Sequence, residues 1–123
     1  MYQHMNTYSN VCFMKAAKIE KIGSEEDIAQ LADMFRLMGD ASRLSIIVTC
    51  LRGPISVGEI ATQLGLSQSL VSHHLRLLRA ARVLKSERRG KQMFYSASDA
   101  HIECVITDMM AHVGEPLDIE DSD

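Results

Sequence analysis

The sequence lacks the features that mark membrane-spanning, secreted and disulfide-bonded proteins. No apolar run reaches the roughly 18 residues that cross a bilayer, and the N-terminus has neither the basic start nor the apolar stretch of a secretory signal. The three cysteines, Cys12, Cys50 and Cys104, form no CxxC pair, which argues against a disulfide framework and against a zinc ribbon. We therefore expect a cytoplasmic protein with reduced thiols and no membrane partner.

Lysine and arginine are absent from residues 99–123, a segment with eight acidic residues. Between Arg76 and Lys91 the opposite holds, with seven basic residues against Glu87 alone. The net charge of -3 hides this asymmetry, which favours one surface that faces a polyanion and another that faces cations. Charge alone leaves an ordinary solvated surface equally open.

A length of 123 residues suits one domain with a real core. Poor periodicity makes residues 1–22 an N-terminal arm, partly flexible or helical, and the acidic tail 116–123 is expected to be disordered. Residues 23–115 then form the folded part. The chain shows no nucleophile set of the Ser/His/Asp or Cys/His kind, so neither an enzyme nor a small-molecule substrate is expected.

Helix-starting residues divide the folded part into short helices with apolar stripes. Each start is a Ser or Asp whose side chain can accept a backbone N–H of the first turn, and glycine marks most of the ends. The expected starts are Ser24, Asp40, Ser56 and Ser67. Because Gly65 permits a sharp turn, residues 56–81 are typical of a helix-turn-helix.

The second helix of this pair has the properties of a DNA-reading helix. Its periodicity assigns four residues to the buried face, namely Leu70, Val71, Leu75 and Leu78. We expect His74 to pack beside the helix pair. The outer face then carries the residue types that contact base edges and phosphates, namely Gln68, Ser69, Ser72, His73 and Arg76.

Alternating apolar residues predict two strands over 83–87 and 93–97, joined by a basic tip at 88–91. A basic hairpin after such a helix is typical of a wing. Arg88, Arg89 and Lys91 would contact DNA phosphates without sequence preference. The predicted fold is therefore mainly α with a small β-hairpin, a winged helix-turn-helix.

A last helix, from Ser98 or Asp99 to about Gly114, carries two histidines that each have a carboxylate close by. The spacing of three turns plus about 20° points His101 and His112 the same way but holds them about 16 Å apart. They cannot share one zinc-type ion within a chain, because such an ion needs its nitrogens at about 2 Å. Asp99 and His101 can meet His112 and Glu115 only from an antiparallel copy, which predicts a homodimer with two symmetric sites.

These features together resemble the ArsR/SmtB family of winged-helix, metal-sensing repressors. The likeness covers about residues 24–115 and is carried by GDASRL at 39–44, SVGEIATQLGLSQSLVSHHLRLLRAARVL at 56–84 and RRGKQMFYS at 88–96. The resemblance implies dimerisation through the N- and C-terminal helices. Members that sense zinc through the C-terminal helix carry Asp-x-His-x10-His-x2-Glu/His, which is matched at every position by Asp99, His101, His112 and Glu115.

The resemblance also implies that a metal-free dimer holds an inverted-repeat operator on double-stranded DNA. Metal binding would release the operator and derepress metal efflux or storage genes. Two imidazoles and two carboxylates suit Zn(II), with Co(II) close behind, whereas Ni(II) would need further ligands such as Asp108 or an N-terminal histidine. Many relatives have a second, thiolate-rich site where this chain has Ser56 and Gly58, so sensing of cadmium, lead or arsenite there loses support.

An alternative with the same fold is a repressor that responds to redox or sulfur species. Cys50 would form a disulfide or polysulfide bridge with Cys12 or Cys104. Against it, a free cysteine is most often a small buried apolar residue, and Cys104 is expected to pack in the core or the dimer interface.

Overall fold

The computed structural model describes residues 23–116. In chain order they form α1 (Glu25–Met38), α2 (Ala41–Cys50), β1 (Ile55–Ser56), α3 (Val57–Leu64), α4 (Gln68–Ala80), β2 (Leu84–Arg89), β3 (Gln92–Ala97) and α5 (Ala100–Val113). The mainly helical fold with a small hairpin is confirmed: α3 and α4 form the helix-turn-helix, and β2 and β3 form the wing. The predicted arm, Cys12 and nearly all of the predicted acidic tail lie outside the described residues.

Short polar side chains begin every described helix, as the sequence predicts. Each cap oxygen accepts a backbone N–H that would otherwise have no partner in the first turn. The Asp99 carboxylate caps α5 by accepting from His101 and Ile102 at 3.0 and 3.2 Å. The other caps are Ser24, Asp40, Ser56 and Ser67, which accept from Asp27, Arg43, Glu59 and Leu70 at 3.0 to 3.2 Å.

The sheet has the strand order β1-β3-β2 and is antiparallel throughout. β2 and β3 pair from Leu84 opposite Ala97 to Arg89 opposite Gln92, so the tip consists of Gly90 and Lys91 only. Gly90 has φ 64, and the first of two tip residues is a position where tight hairpins favour glycine. The predicted tip at 88–91 is therefore corrected, because Arg88 and Arg89 lie within the paired part of β2.

The core lies between the helices and the inner face of the sheet. Val71, Leu75 and Leu78 of α4 are fully buried, as predicted. Leu70 is not: 39% of it is exposed, which corrects its assignment to the buried face. The remaining core residues come from all parts of the described chain and include Met38, Ile46, Ile47, Ile60, Val83, Leu84, Tyr95, Ile102 and Ile106.

Candidate DNA-binding surface and metal ligands

The outer face of α4 carries the five side chains that the sequence assigns to DNA reading. Gly65, with φ 67, ends α3 in the left-handed conformation and turns the chain into α4. Full burial of Val71 and Leu75 then fixes which face of α4 points outward. Ser72 is half-buried, and the exposed members are Gln68, Ser69, His73 and Arg76.

The wing presents Arg88, Arg89 and Lys91 to solvent. The Arg89 guanidinium lies 3.3 Å from the Glu87 carboxylate and 5.0 Å from the centroid of the Phe94 ring. Both contacts hold the cation in place, and the carboxylate partly neutralises it. Arg88 donates from Nε to the Gly90 carbonyl at 3.3 Å. Of these three residues, Arg88 and Lys91 therefore offer their charges without a carboxylate contact within residues 23–116.

His74 is the neighbour of His73 but points into the protein, as predicted for a residue beside the helix pair. It is 8% exposed, and its Nδ1 has no hydrogen-bond partner within residues 23–116. Burial, reinforced by the Arg43 charge, lowers the pKa of His74 despite the opposing charge of Asp40. His74 is thus kept neutral inside the helix pair. The opposing carboxylate, Asp40, has its own pKa lowered by a hydrogen bond from the Arg43 backbone N–H.

The first predicted metal-ligand pair lies at the N-terminus of α5. The Asp99 Oδ2 atom is 3.4 Å from His101 Nδ1, and both side chains are more than half exposed. Burial alone would raise the pKa of Asp99, but hydrogen bonds from Ile102 and His101 outweigh it and lower that pKa overall. Asp99 is therefore an anion that already contacts the imidazole of the pair.

The second pair lies at the other end of α5. His112 Nδ1 is 3.6 Å from Glu115 Oε1, and 74% of the His112 side chain is exposed. Within residues 23–116 of one chain, no three side chains of the metal-binding kinds lie close enough to hold an ion together. Each subunit therefore offers two separate half-sites, with two candidate ligands each.

An apolar face connects the two half-sites along α5. Val105 and Met109 follow His101 at four-residue intervals, so they form a stripe beside it, and Val113 continues this stripe at the C-terminal end of the helix. All three are exposed in the single chain, Met109 by 57%. A second uncovered stripe lies on α1 and consists of Ile28, Leu31 and Phe35. We call these two stripes together the terminal-helix face, and its exposure is unusual for a protein that acts as a monomer.

The two described cysteines are buried. Cys50 is 1% exposed, and burial raises its thiol pKa to about 12. Cys104 is also buried, which agrees with packing in the core or interface. Because the thiolate is the reactive form, a thiol held protonated at neutral pH disfavours the thiol-based alternative.

None of the helices within residues 23–116 has the length and apolar content that crossing a bilayer requires.

Comparison with known proteins identifies the family. Residues 40–86, from the cap of α2 into β2, match the model of the bacterial regulatory protein, arsR family. A transcriptional repressor SmtB homolog of Synechocystis is 32% identical over 77% of this chain and 72% of its own length. A cadmium resistance transcriptional regulatory protein CadC homolog of Staphylococcus aureus is 28% identical over 85% of this chain and 88% of its own.

Solved structures support the same fold. Reduced HlyU from Vibrio cholerae has a TM-score of 0.68 at 27% identity and covers 74% of this chain and 96% of its own. A homodimeric winged helix-turn-helix DNA-binding domain from Mycobacterium bovis, at 21% identity, has a TM-score of 0.69 and covers 78% of this chain and 92% of its own. The relatives and fold neighbours named here are transcriptional regulators, not enzymes. Fold, motifs and relatives agree: the chain belongs to the ArsR/SmtB family of bacterial winged helix-turn-helix transcriptional regulators.

Proposed function

We propose that the protein is a metal-responsive repressor whose metal-free homodimer holds an inverted-repeat operator and whose metal-bound dimer releases it. The observation that carries the proposal is the pair of half-sites at opposite ends of α5, Asp99 with His101 and His112 with Glu115. Each half-site places an imidazole beside a carboxylate and leaves both exposed. Neither pair suffices alone for a four-ligand site, so each requires a second subunit.

The terminal-helix face offers the contact surface for a second subunit. Its uncovered apolar side chains on α1 and α5 favour burial against an identical face, and two-fold symmetry makes this contact self-complementary. Antiparallel α5 helices would set Asp99 and His101 of one subunit beside His112 and Glu115 of the other. The solved Mycobacterium bovis domain has the same fold and is described as homodimeric, which agrees with an assembly of two subunits.

The donor set decides which ions fit. Two neutral imidazoles and two carboxylates are borderline to hard ligands that suit Zn(II) in a tetrahedral arrangement, and Co(II) similarly. Ni(II) would recruit further ligands, for which Asp108 stands on the same side of α5 as His101 and His112. The relative from Staphylococcus aureus is described as a cadmium resistance regulator. Cadmium favours thiolate ligands, and this chain has Ser56 and Gly58 at the positions where many relatives have cysteines. We therefore propose zinc as the effector.

DNA binding is assigned to α4 and the wing. Gln68, Ser69, Ser72, His73 and Arg76 would enter the major groove, and Arg88, Arg89 and Lys91 would lie along the phosphates. Two antiparallel copies of α4 in a dimer would each read one half of an inverted-repeat operator, called here an operator half-site.

Hydrogen bonds connect the metal-bearing helix to the DNA-reading helix. The Ser98 N–H, next to the cap of α5, donates to the Val83 carbonyl at 3.1 Å. The Val83 N–H in turn donates to the Leu78 carbonyl of α4 at 2.9 Å. A change in the crossing of two α5 helices can therefore alter the separation of the two α4 helices. If this disfavours the DNA-binding form by about 3 kcal/mol, operator affinity falls a little over a hundredfold.

The test is fluorescence anisotropy on a labelled inverted-repeat duplex, titrated in reductant with Zn(II), Co(II), Ni(II) and Cd(II). We expect Zn(II) to weaken DNA binding about a hundredfold, and His101→Ala and His112→Ala to bind DNA normally but to lose the response. The control Glu103→Gln removes a carboxylate from the same helix but outside the metal half-sites, and it should keep the zinc response. Zinc without effect on DNA binding, or a response that survives both histidine substitutions, refutes the proposal.

Cys50→Ala separates the thiol-based alternative from the metal mechanism. The zinc response should persist in this variant under reducing conditions, because Cys50 is buried and lies in neither half-site. Loss of operator release only in Cys50→Ala would favour a thiol switch instead.

A further inference from the structure

Leu70 is an apolar side chain that the fold leaves uncovered on the first turn of α4. It is 39% exposed in a helix whose neighbouring apolar residues, Val71 and Leu75, are fully buried. A single exposed leucine on an ordinary surface needs no explanation. The first turn of a DNA-reading helix is different, because its N-terminal residues are those that meet base edges.

The structure prevents Leu70 from turning inward. Successive residues of a helix are separated by about 100°, so Leu70 must lie on the flank of α4 when Val71 points into the core. Val71, Leu75 and Leu78 are each 0% exposed, and together they hold the helix at one rotation. The Ser67 hydroxyl also accepts the Leu70 N–H at 3.2 Å, which fixes the backbone of the first turn. Leu70 therefore remains at the surface whenever α4 is folded.

The surroundings of Leu70 are polar and able to form hydrogen bonds. Gln68 and Ser69 precede it on the same turn, His73 lies one turn further, and all three are exposed. The major groove presents a matching mixture: donors and acceptors on every base pair and one apolar group, the C5-methyl of thymine. Leu77, the other exposed leucine of α4, is two turns away, about 10 Å along the axis, and does not extend Leu70 into a broad apolar patch.

We propose that Leu70 contacts a thymine methyl group in each operator half-site and so specifies a T·A pair at that position. The inference rests on the proposed DNA-binding function and adds a specificity-determining residue that periodicity assigns to the core. In a two-fold symmetric complex the contact occurs twice, once in each half-site.

The test begins with in vitro selection by the full chain from duplexes that contain two randomised half-sites, using the wild type, Leu70→Ala and the control Leu77→Ala. Each thymine of the selected site is then replaced by deoxyuridine, which removes only the methyl group. We expect one thymine position per half-site at which this replacement weakens wild-type binding about fourfold, the equivalent of one buried methyl group, and about sixteenfold when both half-sites are replaced. Leu70→Ala should no longer discriminate thymine from deoxyuridine there, whereas Leu77→Ala should behave as the wild type.

The outcomes separate the two levels of the inference. A wild-type protein that enriches no sequence contradicts the proposed DNA-binding function, and the role of Leu70 with it. A wild-type protein that enriches a clear site whose thymines all tolerate deoxyuridine overturns the role of Leu70 alone. So does a Leu70→Ala variant that keeps the full thymine preference. The deoxyuridine measurement on the wild type requires no substitution, so it stands even if Leu70→Ala folds poorly.

Discussion

Phe35→Ala tests whether the terminal-helix face is the dimer interface. Phe35 is 53% exposed in the single chain, and full burial of a large apolar side chain contributes about 1.5–3 kcal/mol. Covering the exposed half by a partner is then worth about 0.8–1.5 kcal/mol. Because a symmetric dimer contains the residue twice, truncation should weaken association by about 1.6–3 kcal/mol, roughly a 15- to 160-fold rise in the dimer Kd. Sedimentation equilibrium over a range of protein concentrations measures this Kd directly.

Leu77→Ala is the matched control for that experiment. Leu77 is 36% exposed, but it lies on α4, outside the terminal-helix face. Its truncation should leave the dimer Kd unchanged. The reasoning is refuted if Phe35→Ala has the same dimer Kd as the wild type, or if Phe35→Ala and Leu77→Ala raise the dimer Kd equally.

Further predictions concern stability and the wing. Burial lowers the pKa of His74 below its ordinary 6.5, so the unfolded chain binds a proton at His74 more readily than the folded one. The free energy of unfolding should therefore fall as the pH drops below about 6.5. His74→Leu should reduce this pH dependence, which urea denaturation at pH 7.5 and 5.5 measures. Arg82 has φ 62 just after α4, a conformation that favours glycine, so Arg82→Gly should raise the free energy of unfolding by about 0.5–1 kcal/mol, and a decrease would contradict the assigned strain. Glu87→Gln frees the Arg89 guanidinium, so non-specific DNA binding should tighten and the slope of log K against log salt should steepen by about one per subunit; an unchanged slope would show that this carboxylate does not limit the wing.

The helix boundaries were predictable because their causes are local. A cap such as Ser67 bonds to a backbone N–H three residues away, and the left-handed turn at Gly65 needs only a glycine. The half-site pairs are local in the same sense, since Asp99 lies two residues from His101 and Glu115 three from His112. These short-range relations are visible in the sequence before any tertiary contact is known.

The remaining features depend on contacts between distant parts of the chain. The two-residue strand β1 exists because Ile55 pairs with Tyr95, forty residues away, and no pattern of two residues can indicate this. Periodicity wrongly assigns Leu70 to the core, because only the packing of Val71, Leu75 and Leu78 fixes the rotation that leaves Leu70 on the flank of α4. The burial of Cys50, which raises its thiol pKa, likewise follows from how the core assembles around α2.

A mixing experiment tests most directly the claim that each metal ion is held by two subunits. His101→Ala and His112→Ala homodimers should each lack an intact site, since every site needs one of these histidines from each subunit. A heterodimer of the two variants keeps one intact site, and about half of the dimers in a 1:1 mixture are heterodimers after subunit exchange. The mixture should therefore bind about 0.25 tightly held Zn(II) ions per subunit, against about one for the wild type. If the mixture binds no more zinc than the separate variants, the sites are not shared between subunits and the account is contradicted.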